Sequence, residues 1–167
     1  MRGEEGLLED LAALDIPNEL HEHRAMFTVE ESRDIETDIP GEHTKNLFLK
    51  DAGGVFWLLT VPAEAQVDLK GLPAVIGCKR VSFGKPDDMA RLIGVTPGSV
   101  TPLAMINAEP GTITLVLDER LAHRERVNVH PLRNTATVGL PGRDILALAR
   151  HWGHEPRVAA LPKKDDR

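Results

Sequence analysis

Three stretches of this chain place side chains that can act on a substrate beside residues that fix the backbone. In His43-Thr44-Lys45-Asn46-Leu47-Phe48-Leu49, a cation and an amide stand at the mouth of a strongly apolar run. Gly94-Val95-Thr96-Pro97-Gly98-Ser99-Val100-Thr101-Pro102 is uncharged and rich in Gly and Pro, residues that set backbone geometry. Val127-Asn128-Val129-His130-Pro131-Leu132-Arg133-Asn134-Thr135 puts a histidine where an apolar run ends in a turn, and imidazole titrates near neutral pH. Each stretch also has an architectural reading: Lys45 as a solvated strand-end lysine, the Gly/Pro loop as a plain connection, and His130 as a capping side chain.

Other chemistries find less support. His21-x-His23 would set two imidazoles on one side of a strand, with His43 in a nearby loop, but the acidic residues around them are too plentiful to mark a specific third metal ligand. The single cysteine, Cys78, excludes an internal disulfide framework and a Cys-rich zinc site. It follows the apolar Ala74–Ile76 and reads as a small core residue rather than a nucleophile. There is no G-x-S-x-G elbow and no phosphate-cradling G-x-x-x-x-G-K-S/T or G-x-G-x-x-G pattern. Neither a metal nor a cofactor is expected.

The elements that must position these residues follow from periodicity. Residues 4–14 read as an amphipathic helix through Leu7, Leu8, Leu11, Ala12 and Leu14, ending before Pro17. Leu20 to Phe27 is a strand candidate, and Thr28 with Glu31 forms a capping box for a helix reaching about Thr37. Asn46–Leu49 and Val55–Val61, joined by Lys50-Asp51-Ala52-Gly53-Gly54, have the signature of a hairpin. Asp68 to Ile76 suggests a short helix and Lys79–Phe83 a strand. A further helix starts at Lys85-Pro86-Asp87-Asp88, with Met89, Leu92 and Ile93 on one face. Strands are expected at Leu103–Asn107, Ile113–Leu117, Arg126–Val129, Thr135–Gly139 and Pro156–Ala160, and a helix from Pro141 to Trp152. Hairpin-like clusters broken by helices, without regular alternation, give an α+β class. The expected architecture is a single compact domain with a mixed, largely antiparallel sheet flanked by helices.

Composition sets the outer limits. A chain of 167 residues, 41% apolar and 28% charged, is one ordinary globular domain. The first residues lack the basic and apolar regions of a signal peptide, and the longest uncharged stretch is broken by Pro and Gly, so a cytoplasmic protein without membrane contact is expected. The net charge of −6 argues against a generic binder of nucleic acid, DNA included. Residues 1–44 alone carry −10, however, and each of the segments 45–91 and 92–167 carries +2. A local basic surface on an acidic protein suits a short anionic ligand or one end of a nucleic acid.

Taken together, the three stretches resemble the YbaK/ProX family of aminoacyl-tRNA editing domains. The likeness rests on Lys45 in Thr-Lys-Asn-Leu-Phe-Leu, on Gly98-Ser99-Val100-Thr101-Pro102 as the family's G-x-x-x-P loop, and on their order and separation, and it runs from about residue 20 to 160. Asn128-Val129-His130-Pro131-Leu132 with Asn134-Thr135-Ala136-Thr137 is most similar to the free-standing ProX branch, which hydrolyses alanine from mischarged proline tRNA. The resemblance implies one editing domain spanning 1–167, with residues 1–17 as an added helix and 163–167 as a tail. It also implies a trans-acting deacylase of Ala-tRNA(Pro), with prolyl-tRNA synthetase or an elongation factor as a possible docking partner.

An aminoacyl ester is already activated, so the site has only to place a water, stabilise an oxyanion and exclude the wrong side chain. On that reading Lys45, Gly98, Ser99 and His130 form the catalytic set. Backbone N–H groups at Gly98 and Ser99 hold the carbonyl oxygen or the water, Lys45 meets the oxyanion or a terminal phosphate, and His130 orients substrate or relays a proton. Thr44, Asn46, Pro102 and Asn134 would bind substrate, and Lys45, Lys50, Lys79 and Arg80 would touch the tRNA. Rival readings are a Cys-tRNA(Pro) deacylase of the YbaK branch, a metal-dependent hydrolase on His21, His23 and His43, and a non-catalytic tRNA- or synthetase-binding module.

Overall fold

The computed structural model describes residues 1–25 and 38–164. The expected helix from Thr28 to Thr37 lies outside them, as do the end of the Leu20–Phe27 strand and the last three residues. The strands are β1 (Glu19–Glu22), β2 (Glu42–Asp51), β3 (Phe56–Pro62), β4 (Val81–Phe83), β5 (Ile113–Asp118), β6 (Val127–Val129), β7 (Ala136–Leu140) and β8 (Arg157–Ala159). The helices are α1 (Glu4–Ala13), α2 (Leu72–Ile76), α3 (Pro86–Ile93), α4 (Glu119–Ala122) and α5 (Gly142–His151).

The strands form one mixed sheet in the order β1-β7-β6-β2-β3-β5-β8, with β4 added beside β2. β3 is apolar almost throughout because β2 and β5 flank it and both of its faces are covered. On one side of the sheet, Phe48, Leu58, Leu115, Leu117, Val127 and Val129 pack with α1, α3 and α5. On the other side, Leu49, Trp57, Leu59, Val61 and Val116 pack with Leu72 and Ile76 of α2, and Cys78 is buried among them as expected. Adjacent residues Phe48 and Leu49 fall in different clusters, which fixes the facing of every residue along β2. Trp152 closes the domain by donating its indole N–H to Asp10 of α1 at 2.8 Å.

One expected element is overturned. The apolar run Leu103–Asn107 predicts a strand, but residues Pro102–Ile106 form a 3-10 helix. Thr101 supplies the reason, since its hydroxyl caps the Leu103 N–H while Pro102 takes the first helical position, where no N–H is needed. The short α4, capped by Asp118 on Arg120 N–H, had no signal strong enough to be foreseen.

The feature that matters for function is a gap along β2. Parallel β6 meets its edge only at Glu42 and His43, while antiparallel β4 meets the same edge at Leu49–Asp51. Thr44 ends the β6 contact by giving its hydroxyl to the Asn128 carbonyl (2.8 Å), and Gly84 N–H reaches the Phe48 carbonyl (2.8 Å) from the other side. Between these points the edge of β2 has no strand partner among the described residues, and the Thr96–Val100 loop is tied to it through the bond from Asn46 to the Val100 carbonyl. Parallel strands that part in this way leave a crevice at their carboxyl ends, a common place for a ligand.

Candidate functional site

Lys45 and Asn46 both lie in the gap, but strand alternation sends them to opposite faces. Asn46 is on the larger cluster's side. Its Nδ2 donates to the Val100 carbonyl (3.1 Å) and its Oδ1 accepts from the Thr60 hydroxyl (2.5 Å), so it fastens the 96–100 loop to the sheet rather than presenting a free amide. Thr44, spent on Asn128, is likewise part of the frame. Lys45 faces the other way, on the side of His43 and Asn128. Continuing the His43–Asn128 register by two residues brings it level with His130. Its side chain is partly buried and has no hydrogen bond or ion pair among the described residues. A partly buried lysine with no counter-ion among the described residues is a suitable site for developing negative charge.

His130 follows the last residue of β6. Its Nδ1–H donates to the Ala136 carbonyl at 3.1 Å, which leaves Nε2 of the neutral ring as a bare acceptor. Burial pushes its pKa below the usual histidine range, the Ala136 bond opposes that, and nearby His23 adds to the depression. His23 is itself fixed, donating from Nδ1 to the Arg24 carbonyl (2.7 Å) and accepting at Nε2 from the Thr137 hydroxyl (2.8 Å).

The G-x-x-x-P loop presents less than its sequence promised. Ser99 is buried, and its N–H closes a 3-10 turn on the Thr96 carbonyl (2.9 Å), so that donor is already used. Pro102 is buried in the 3-10 helix and offers no surface to a substrate. Gly98 sits exposed at the turn's apex, and its N–H is the one that the turn leaves over. A Cβ there would meet only Asn134 Nδ2, at 3.4 Å, so this glycine keeps open the space between loop and Asn134 rather than relieving strain. Asn134 makes no hydrogen bond among the described residues, which leaves its amide for a ligand.

Sequence reasoning missed the residue that holds the His130–Asn134 loop. Arg133 makes a two-pronged contact with Glu4 of α1 (2.9 and 3.2 Å), a bond to Glu22 of β1 (2.9 Å), and bonds to the Thr135 hydroxyl and carbonyl (2.9 and 3.3 Å). It stabilises a loop in which Leu132 has φ of 73°, a left-handed backbone that costs a non-glycine residue about 1 kcal/mol or more. No local pattern could have paired position 133 with positions 4 and 22.

Lys50, Lys79 and Arg80 stand apart from this centre, at the tip of the β2–β3 hairpin. Ala52 N–H bonds the Arg80 carbonyl (2.8 Å), and Asp51 accepts from the N–H groups of Gly53, Val55 and Lys79 and from the Trp57 indole. Burial alone would raise the pKa of Asp51, but these bonds bring it below the ordinary range and keep it ionised. Cys78 has its thiol pKa raised, chiefly by burial, and is no nucleophile. Among the described residues no three His, Cys, Asp or Glu side chains stand together to hold a metal. His43 instead donates to the Ile39 carbonyl (2.8 Å), and His21 accepts from Arg126 (3.2 Å). No helix among them is long and apolar enough to cross a membrane.

Residues 23–148 match the family model described as the aminoacyl-tRNA editing domain. The chain is 36% identical over 162 residues to the prolyl-tRNA synthetase associated domain-containing protein 1 of Bos taurus, covering 94% of each. It is 32% identical to the prolyl-tRNA editing protein ProX of Acetoanaerobium sticklandii, covering 96% of this chain and 99% of that one. A crystal structure described as a candidate trans-editing enzyme for prolyl tRNA synthetase superposes with a TM-score of 0.73 at 22% identity, over 96% of this chain and 94% of the other. That last likeness is one of fold.

Proposed function

Because the chain belongs to the aminoacyl-tRNA editing domain family, we propose that it hydrolyses the ester of mischarged aminoacyl-tRNA, with Ala-tRNA(Pro) as its substrate. The observation that carries this reading is Lys45, without an ion pair among the described residues, at the gap in the sheet beside which β6 ends in His130 with its Nε2 left as an acceptor. In the reaction a water oxygen attacks the ester carbonyl. Lys45 and the Gly98 N–H stabilise the charge that gathers on the carbonyl oxygen, and His130 Nε2 accepts a hydrogen bond from the water. The carbon–oxygen bond to the ribose then breaks, the ribose oxygen takes up the proton, and alanine leaves. Asn134 binds the amino acid's polar end, while Asn46 and Thr44 keep the gap open. A pocket fitted to a methyl group excludes proline by steric clash, the sieve that an editing site needs. The names of the relatives support proline tRNA as the carrier.

The test is a deacylation time course on Ala-tRNA(Pro), Cys-tRNA(Pro) and Pro-tRNA(Pro), with chelator present. Loss of alanine alone is expected. Preferential loss of cysteine would move the substrate to the other branch, and survival of all three esters would remove the enzyme reading in favour of a binding module.

The same assay gives a pH signature. His130 acts as a neutral acceptor, and its folded-state pKa lies below the usual histidine value. The rate should therefore hold as pH falls through about 6.5 and decline only beneath it. Stability has the same sign, because the unfolded state binds the proton more readily, so this contribution is present above the unfolded pKa and is lost as pH falls through the folded one. Rate profiles of the protein and of His130→Gln, which should lack the acid limb, check this directly.

A further inference from the structure

Phe83 has no place in the reading above. It ends β4 opposite Leu49 and is 63% exposed, far more than an aromatic ring needs to be on a strand. β4 is only three residues long and among the described residues pairs with β2 alone. Gly84, next in sequence, lies so close to the Phe48 ring that a Cβ would come within 2.3 Å of it, so the backbone is seated there while Phe83 stays on the rim. Strand alternation puts Phe83 on the same side of the sheet as Leu49 and Lys45.

The charges around it are mostly uncompensated cations. Lys50 is not among them, since it faces the other side of β2, with its Nζ 5.3 Å from the centre of the Phe56 ring. The exposed side chains of Lys79, Arg80 and Lys85 have no hydrogen bond or ion pair among the described residues. Of the nearby acids, Asp51 is buried in the hairpin and Asp88 is paired with Arg91 at 2.8 Å, which leaves Asp87 as the exposed exception. An exposed ring with cations before and after it in the chain, Lys79 and Arg80 toward the hairpin tip and Lys85 two residues on, is an arrangement suited to single-stranded nucleic acid, the base stacking on the ring and the phosphates lying on the cations.

We propose that Phe83 stacks against an unpaired base of the RNA strand that carries the ester, with Lys79, Arg80 and Lys85 on the flanking phosphates. The RNA then enters the gap over β4. This rests on the substrate class proposed above. Leu49 is four residues from Lys45, about 13 Å along a strand. A stacked nucleotide strand rises about 3.4 Å per residue, so the base on Phe83 would be about the fourth from the ester.

The experiment measures fluorescence anisotropy of uncharged, labelled RNA hairpins with the full chain. One hairpin has a four-nucleotide 3′ overhang, and the other has the same stem cut blunt. Phe83→Ala is expected to weaken binding of the overhang hairpin about tenfold. Phe83→Trp should bind it as tightly as the unaltered protein, and the blunt hairpin should bind weakly to all three. The proposal is overturned if Phe83→Ala binds the overhang normally, if it loses as much on the blunt hairpin, or if the unaltered protein prefers neither. It is also overturned if Phe83→Ala spares RNA binding while abolishing capture of purified prolyl-tRNA synthetase, which would make the patch a protein interface. Since the RNA is uncharged, a failure to hydrolyse any ester would sink the substrate reading without deciding this result.

Discussion

Lys45→Ala should reduce deacylation of Ala-tRNA(Pro) by about 100- to 1,000-fold, the usual effect of removing one group that stabilises an oxyanion. The melting temperature should change little. Lys45 has no hydrogen bond or ion pair to lose among the described residues, and it stands at a break in the sheet where neither cluster depends on it. Single-turnover hydrolysis and a thermal melt on the same preparation check both halves. A variant that retains its rate removes Lys45 from the mechanism. One that loses rate and melts early makes Lys45 a structural residue instead. Lys45→Arg separates charge from geometry: it keeps the positive charge, but its planar fork cannot place a point charge where the ammonium stood, so only partial recovery is expected.

Gly142→Ala should be the most damaging small substitution for stability. Gly142 opens α5 directly beneath α4, and its N–H bonds the Arg124 carbonyl at 2.9 Å. A Cβ on it would lie 1.9 Å from the Leu121 carbonyl oxygen and 3.1 Å from the Ala122 Cα. Those are backbone atoms, held by Leu121 in the core and by β5 before it, so no side chain can swing away to make room. Overpacking of this kind costs about 3 kcal/mol or more. In a chain of this size that lowers the melting temperature by about 6 to 12 °C. Thermal denaturation followed by circular dichroism measures it, and a loss below about 2 °C would mean that α4 and α5 separate more easily than their contact suggests.

Much of this architecture is legible in the sequence because its signals are local. The turn residues Asp51 to Gly54 between two apolar runs announce the β2–β3 hairpin, and Pro86 with two aspartates announces α3. Leu103–Asn107 misled because a short apolar run has no period of its own, and the side chain that decided the matter, Thr101, lies before it. In the candidate site, the residue types at Lys45, Gly98, His130 and Asn134 could be singled out, but not which of their atoms would be free. Asn46 and Ser99 looked available and proved to be committed, through partners 54 and three positions away. The segments that carry Lys45 and His130 are joined by a two-residue parallel pairing between positions 42–43 and 127–128, and nothing in either segment names the other.

Arg133 has a consequence in time. Its anchors at Glu4 and Glu22 lie 129 and 111 positions earlier, and among the described residues β1 finds its only strand partner in β7. At a synthesis rate of about 5 to 20 residues per second, the first helix and strand therefore wait on the order of ten seconds for the residues that hold them. Until then the His130 loop does not exist and Leu132 has nothing to hold its unfavourable turn. A ribosome-bound or prematurely ended chain, however well its hairpin has formed, lacks the anchored His130 loop, which is completed late, when the two ends of the sequence meet.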